Sequence, residues 1–198
     1  MAKLLREFNI LTYDKKLVIE NIENKQPIIL KSILQRANIP NQNKRIYPRS
    51  VLEREVEKYK KVISENRAIA ELDHPNESVV SLKNVSHMIK DIWWDGDEVW
   101  GTVEILDTPS GRIVKDLMKS SVMLGLSSRG IGDVIKEDTG FDRVTDDYNL
   151  VCFDIVSEPS TENAYLREAK ELSISEYRNM ICKSDRINKI LNEILKGL

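Results

Sequence analysis

Short apolar segments, each broken by turn-forming residues, are the feature that most limits what this chain can fold into. Residues 8–37 contain three of them, FNILTY, KLVIENI and PIILKSILQRA, which we predict to be strands because turn residues separate them. No run approaches the ~20 apolar residues that a membrane-spanning helix needs. The 198 residues suffice for one domain with its own core. We therefore expect an α+β protein in which short strands dominate.

Two helices are predicted in the middle of the chain. The first covers residues 50–64, where Ser50 and Glu53 have the spacing of a capping box. Its buried stripe is predicted to be Leu52, Val56, Tyr59 and Ile63. The second covers residues 109–122 after Thr108, because proline is well placed in a first helical turn. Its buried stripe is predicted to be Ile113, Val114, Leu117 and Met118.

The remaining residues predict further strands, an irregular loop and a helical C-terminal tail. Residues 38–48 contain two prolines and predict an irregular loop. Residues 85–106 predict a hairpin that turns at Asp95-Gly96-Asp97-Glu98, with Trp93, Trp94 and Trp100 as large apolar faces. Further strands are predicted at 67–73, 125–136 and 148–156. The last ~25 residues have a helical apolar period.

Charge and cysteine content argue against several classes of protein. Lys and Arg number 30 against 32 Asp and Glu, a net charge of −2, whereas nucleic-acid-binding domains are usually strongly basic. Cys152 and Cys182 have no CxxC partner, so neither a disulfide framework nor a zinc knuckle is indicated. Arg6 and Glu7 interrupt the first apolar run before a signal peptide forms. We expect a protein of a reducing compartment, with no metal, cofactor, membrane segment or specific nucleic acid.

Only two histidines are available as a base near neutral pH. His74 precedes Pro75 at the end of a predicted strand, where functional groups on loops concentrate. His87 lies inside a predicted strand, and we interpret it as a residue without a catalytic role. A lone histidine is more often structural than catalytic, so His74 is at this point a candidate base.

A candidate nucleophile lies in residues 125–130, GLSSRG. Its glycines would let the backbone approach a substrate, and Arg129 would offer its charge or its amide to an oxyanion. The alternative interpretation is a strand-edge turn of small residues, and the GxSxG elbow of α/β-hydrolases is not matched. Asp154 stands in an apolar, strand-like run, either as the partner of a histidine or as an outward-facing strand residue.

Four segments together carry a resemblance to a known family. They are residues 43–48 (NKRIYP), 71–75 (ELDHP), 91–94 (DIWW) and 125–132 (GLSSRGIG). Their order and rough spacing resemble those of the prohead core proteases of T-even-type tailed bacteriophages, over residues 38–165. The resemblance implies a capsid-maturation serine protease, distantly similar to the herpesvirus assemblins. It also implies a mostly antiparallel β-barrel or bent sheet with packed helices.

The resemblance assigns roles to particular residues. His74 matches the general base, Ser127 the nucleophile and Asp154 the acid that orients the base. Ser128, Arg129 and Gly130 would form the oxyanion and active-site loop. No metal or cofactor is implied.

The resemblance also implies substrates and a location. The family is expected to cut after glutamate with Leu or Ile two residues earlier, in phage scaffold, core and capsid proteins. It would act as a homo-oligomer in the host cytoplasm, inside the assembling prohead. Triplets of this kind end, among other positions, at Glu7, Glu168, Glu176 and Glu193. We therefore expect a protease domain over residues 1–165 and a helical C-terminal tail, 166–198, removable by self-processing.

Three other functions stay open on sequence grounds. One is a catalytically silent capsid-assembly or scaffold protein with the same fold. The second is a nucleic-acid-binding module built on Lys44, Arg45 and Arg49 with Tyr47 and the tryptophans. The third is a metallo-hydrolase built on Glu71, Asp73 and His74, although these residues have no recognised ligand spacing.

Overall fold

Three helices and ten strands make up the part of the chain that the computed structural model describes, residues 3–11, 13–75 and 77–157. The predicted tail and Cys182 lie outside the described residues. In chain order the elements are β1 (Lys3–Ile10), α1 (Lys15–Glu23), β2 (Ile28–Arg36), β3 (Arg45–Ile46), α2 (Arg49–Ser64), β4 (Ile69–Glu71), β5 (Val85–Asp95), β6 (Glu98–Ile105), α3 (Pro109–Lys119), β7 (Gly125–Gly132), β8 (Val134–Lys136), β9 (Asp142–Val144) and β10 (Asn149–Val156). No described helix is long and apolar enough to cross a bilayer.

The strands form three sheets. Two are antiparallel, with strand orders β1-β7-β10 and β2-β6-β5-β4. The third is a small sheet, β3-β9-β8, in which β3 and β9 run parallel. The α+β class predicted from the sequence is thus confirmed.

The expected closed barrel is not found among the described strands. One isolated parallel bridge, between Leu72 and Ile155, links the region after β4 to β10. At the opposite edges β1 packs against β2 without a ladder of paired residues. The described strands therefore form open sheets whose buried residues share the main core.

The predicted helix at 50–64 exists, but its start differs from the prediction. Leu52, Val56 and Tyr59 are buried in the core. The N-cap is Pro48, which has no side-chain capping bond, so the capping box at Ser50 is wrong. Asn38 instead accepts a hydrogen bond from the Arg49 amide across the loop. Because proline fixes φ near its helical value, the helix begins one residue earlier.

The segment KLVIENI is helical rather than extended, which corrects the prediction of a strand. Asp14 caps the N-terminus of α1, because its side chain accepts from the amides of Lys16 and Leu17. Val18 and Ile22, four residues apart, pack on the main core. The nine-residue helix is too short for its period to stand out in the sequence.

The predicted hairpin is confirmed. Its tryptophans, which are predicted to supply large apolar faces, are only half-buried. β5 and β6 pair across Gly96, whose positive φ of 57° is the conformation that glycine supplies in a tight turn. Ile92 and Val99 are buried, whereas the tryptophans are half-buried. The guanidinium of Arg49 stacks on Trp94 at 4.1 Å.

The first turn of helix α3 packs very closely against the backbone of the preceding segments. The helix begins at Pro109, as predicted, and Thr108 caps it by accepting from the Gly111 amide. Val114 and Met118 are buried, but Ile113 is 50% exposed, so the predicted stripe is narrower. A Cβ at position 111 would lie 2.0 Å from the carbonyl oxygen of Leu106 and 2.8 Å from that of Ser86.

Gly111→Ala should therefore be strongly destabilising. The added methyl group meets backbone that cannot move independently, and we expect a loss of about 3 kcal/mol in the free energy of unfolding. Urea denaturation measures this loss. Ile113→Ala, on the exposed side of the same helix, is the control and should change the value little. Equal losses in the two variants would contradict the close contact.

Candidate active site

Ser127 and Asp154 face each other across two neighbouring strands. They are direct partners in the register of β7 and β10. Side chains of directly opposed residues lie on the same face of a sheet, with Cβ atoms ~5 Å apart. Both residues are buried, Asp154 completely. Strand pairing alone therefore brings these two candidates together.

His74 reaches the pair from the loop that follows β4. The bridge between Leu72 and Ile155 holds this loop against β10, and the Asp73 amide donates to the Ile155 carbonyl at 2.8 Å. Asp73 has a positive φ of 67°, a left-handed conformation that aspartate tolerates better than most residues. The backbone turns there and directs His74 back over the sheet.

The three candidate side chains form a continuous hydrogen-bonded chain. His74 Nδ1 lies 2.8 Å from Asp154 Oδ2, and His74 Nε2 lies 2.5 Å from Ser127 Oγ. An ionised carboxylate only accepts hydrogen bonds, so Nδ1 carries the proton and Nε2 accepts from the serine hydroxyl. This is the arrangement in which an imidazole can remove the proton of a serine nucleophile.

The carboxylate of Asp154 is held ionised below the surface. Its Oδ1 accepts from the Glu71 amide and from Arg129 Nη2, both at 3.1 Å, and Arg129 Nε lies 2.8 Å from Oδ2. Burial acts to raise the pKa of Asp154, but the His74 hydrogen bond, the Arg129 charge and the Glu71 amide outweigh it, so the pKa is below its usual value.

Arg129 does not present its charge to a substrate. Its side chain is fully buried and binds inward, to Glu71 Oε1 at 2.9 Å, to Asp154 and to the Glu77 carbonyl at 2.7 Å. Burial acts to lower its pKa, but Cys152, Asp154 and Glu71 raise it above the usual value, so it stays charged. The expected oxyanion role of this guanidinium is therefore wrong.

The residues beside Ser127 also differ from the expected active-site loop, because they lie within β7. Ser128 points to the opposite face, where its Oγ accepts from Gln35 Nε2 at 3.0 Å. Gly130 leaves room for a tyrosine: a Cβ there would lie 2.4 Å from the ring of Tyr148. Its missing side chain serves this packing rather than the approach of a substrate.

His87 is structural, as the sequence interpretation has it, and completely buried. Its Nε2 lies 2.7 Å from the Phe153 carbonyl and its Nδ1 lies 2.8 Å from Ser86 Oγ. Burial lowers the pKa of His87 to about 4. It is therefore neutral near pH 7 and makes no contact with Ser127.

The geometry favours neither the metallo-hydrolase nor the nucleic-acid-binding module. Among the described residues, no group of three or more His, Cys, Asp and Glu side chains is arranged to hold a metal ion. Tyr47 is buried and donates to Glu7, which also pairs with Arg45. Arg49 pairs with Glu53 and Asp97. These side chains are thus occupied by acidic partners within the protein.

Two buried polar residues near Ser127, one in the site and one on the opposite face of β7, are not predicted as such by the sequence. Glu71 is predicted only as a metal ligand, yet it is fully buried and paired with Arg129. Gln35, which binds Ser128 on the opposite face, is not predicted at all. A register shift between Ile33 and Gln35 in β2 buries both Leu34 and Gln35, which breaks the alternation that would identify an inward residue. For Glu71, the sequence feature that indicates a buried charge is an acidic residue within the apolar run IAEL.

Comparison with known proteins shows which proteins the chain resembles. Residues 14–177 match the family described as prohead core protein serine protease. Over 177 residues the chain is 28% identical to the prohead core protein protease of Enterobacteria phage T4, covering 87% of this chain and 82% of that protein. The solved structure of the bacteriophage T4 capsid assembly protease matches 80% of this chain and 99% of its own, with a TM-score of 0.69 and 23% identity. At that identity the match concerns the fold.

His87 should make stability depend on pH. Its folded pKa of about 4 lies below the unfolded value of 6.5, so unfolding takes up a proton between these values. The resulting stability is complete above pH 6.5 and is lost as the pH falls towards 4. From pH 7 to pH 4 the wild type should lose about 3 kcal/mol more than His87→Gln.

Urea denaturation of both proteins at several pH values measures this difference. Ser86→Ala is the matched control, because it removes the hydroxyl beside Nδ1 and keeps the buried imidazole. It should retain the pH dependence of the wild type. Parallel curves for the wild type and His87→Gln would contradict the prediction.

Proposed function

The chain belongs to the prohead core protein serine protease family, and on this premise we propose that it is a serine endopeptidase that cleaves scaffold and capsid proteins during maturation of a phage prohead. The observation that carries the proposal is the chain of contacts from Asp154 through His74 to Ser127. The reaction is acyl transfer to a serine oxygen, followed by hydrolysis.

The proposed first step forms an acyl-enzyme. Ser127 Oγ attacks the peptide carbonyl while His74 Nε2 takes the hydroxyl proton. Asp154 keeps the imidazole in the required tautomer and stabilises the imidazolium. His74 then gives its proton to the leaving amine, and the bond between carbon and nitrogen breaks. Water, deprotonated by His74, attacks the ester and releases Ser127.

Backbone amides are the proposed donors to the oxyanion. Ser128, Arg129 and Gly130 follow the nucleophile directly along β7, and the donor would be an amide among them that the ladders to β1 and β10 leave unpaired. The side chains of Ser128 and Arg129 are occupied elsewhere. Fixed N–H donors of this kind are worth ~3 kcal/mol each in related chemistry.

We further propose cleavage after glutamate, in the assembling prohead within the host cytoplasm. The family resemblance supports this specificity, and one arginine lies next to the candidate base. Arg6 on β1 donates to the carbonyl of Pro75 at 2.7 Å, next to His74. Arg6 is also the strand partner of Arg129, so the two share a face with Ser127.

Self-processing of the C-terminal tail is part of the proposal. The triplets ending at Glu168, Glu176 and Glu193 follow the protease domain of residues 1–165. The triplet ending at Glu7 is a poor site, because Leu5 and Glu7 are buried in β1. Cleavage is therefore expected in 166–198.

Ser127→Ala should abolish activity. Loss of the nucleophile is expected to lower the rate of cleavage of a Leu-x-Glu scaffold peptide by about 10⁴-fold or more. Covalent labelling by a fluorophosphonate, which reacts with activated serines, should disappear with it. Ser120→Ala, at an exposed serine after α3, is the control and should keep both.

Two outcomes would contradict the assignment. Labelling that survives in Ser127→Ala but is lost in Ser128→Ala would identify the other serine as the nucleophile. A folded wild type that is never labelled and never cleaves the peptide would favour a silent assembly protein.

Mass spectrometry of the intact chain tests specificity and self-processing. The active protein should yield fragments that end at Glu168, Glu176 or Glu193, and Ser127→Ala should stay whole. Replacing the three glutamates by glutamine should suppress the fragments, since the carboxylate is the recognised group. An active enzyme whose tail stays intact would rule out self-processing, and fragments ending at other residue types would rule out the specificity.

A further inference from the structure

A buried cluster beneath the site holds one negative charge in excess. Arg129 contributes one positive charge, while Glu71 and Asp154 contribute two negative charges at 2.9 and 2.8 Å from it. All three side chains have no exposed surface. Isolated charges are very unfavourable in such surroundings, so the three must be considered as one unit.

Arg129 alone would work against the proposed chemistry. Its guanidinium contacts both oxygens of Asp154, with Nη2 at 3.1 Å from Oδ1 and Nε at 2.8 Å from Oδ2. A positive charge so close cancels most of the field of the carboxylate at His74. The pair by itself would orient the imidazole but stabilise the imidazolium only weakly.

Glu71 is placed to remove this conflict. Its Oε1 lies 2.9 Å from Arg129 Nη2, and its Oε2 has no hydrogen-bond partner among the described residues. With the guanidinium shared between two carboxylates, the cluster keeps a full negative charge next to His74. When His74 takes the serine proton, the cluster and the imidazolium together become neutral, and the negative charge removed from the serine oxygen passes to the oxyanion of the attacked carbonyl. The excess negative charge of the cluster favours the imidazolium in this low-dielectric interior.

We propose that Glu71 is a positioning residue that neutralises Arg129, so that the charge of Asp154 remains available to stabilise protonated His74. This inference rests on the proposed protease function. It assigns to Arg129 the complementary task of holding Asp154 ionised and fixed.

The other groups around the cluster do not supply this charge. Cys152, from β10, lies 3.1 Å from Arg129 Nη2, and burial raises the pKa of its thiol, so it is neutral. Burial likewise raises the pKa of Tyr59 from α2 and lowers that of His87 from β5, so both are neutral. Two further ionisable residues lie beside His74: Arg6 of β1 donates to the carbonyl of Pro75, and Asp73 precedes His74 in the loop.

Glu71 also supports the loop that carries His74. Loss of activity in a Glu71 variant would therefore not distinguish an electrostatic role from a structural one. Its Oε1 accepts from the Ser81 amide at 3.0 Å. A structural role and an electrostatic role are separated by the protonation of His74, which responds to charge. With two histidines in the chain and His87 buried, the imidazole signals of His74 can be assigned by NMR.

The experiment is an NMR titration of His74 in the full-length chain carrying Ser127→Ala, which prevents self-cleavage. Adding Glu71→Gln should lower the midpoint of the His74 titration by about one pH unit, because the cluster loses its excess negative charge. In the active protein the acid limb of the kcat/KM profile should move equally, with kcat about tenfold lower. Glu55→Gln is the matched control, a carboxylate 2% exposed and paired with Arg54 and Lys58, and should leave the midpoint unchanged.

A conservative variant keeps the test decisive if Glu71→Gln fails to fold. Glu71→Asp shortens the side chain but keeps its negative charge beside Arg129. Its His74 midpoint should stay within about 0.3 pH units of the wild-type value. A merely structural role for Glu71 predicts no difference between the Asp and Gln variants.

Three results would overturn the inference. They are an unchanged midpoint in Glu71→Gln, a shift of the same size in Glu55→Gln, and a Glu71→Asp midpoint displaced by a full pH unit. The titration needs no activity, so it is independent of the protease assignment. A midpoint that shifts as expected in a protein that cleaves nothing would reject the proposed function and keep the electrostatic coupling.

Discussion

The ion pair between Arg129 and Asp154 is the interaction on which the rest of the site depends. It joins β7 to β10 from within, and the same guanidinium binds Glu71 of β4 and the Glu77 carbonyl. Removing one partner of such a buried pair leaves an uncompensated charge, which costs about 3–5 kcal/mol. One side chain therefore connects the sheet to the loop that carries His74.

The division of the sheet into two faces explains how polar and apolar requirements coexist. Successive residues of a strand point to opposite faces, so Ser127 and Asp154 share one face while Leu126 and Phe153 lie on the other. Phe153 packs edge-to-face on Tyr59 of α2, with ring centroids 5.3 Å apart. Helix α2 packs on the apolar face, and the opposite face carries the polar and charged side chains of the site.

The position of the loop after β4 depends on contacts far apart in sequence. The Asp73 amide bonds to Ile155, and Arg6 bonds to the Pro75 carbonyl. Each contact comes from a different strand of the same sheet. The geometry of His74 is thus a property of the assembled sheet rather than of the segment ELDHP.

Local patterns identified the elements whose signals are strong and self-contained. The period of α2, the turn at Gly96 and the helix start at Pro109 each depend on a few neighbouring residues, and each is found as predicted. The α1 segment was mistaken for a strand because a nine-residue helix has too few turns to show its period. The capping box at Ser50 failed because Asn38, distant in sequence, bonds the Arg49 amide instead.

The sequence by itself determined the α+β class, the family and the three residues, His74, Ser127 and Asp154, that the fold brings together. Those conclusions depend on residue types and their order along the chain. Only the tertiary structure decided that Arg129 binds inward, that Glu71 joins it, and that the sheets remain open. The physical reason is that a charge is stabilised by whichever partners surround it once it is buried, and β4, β7 and β10 supply those partners from distant parts of the chain.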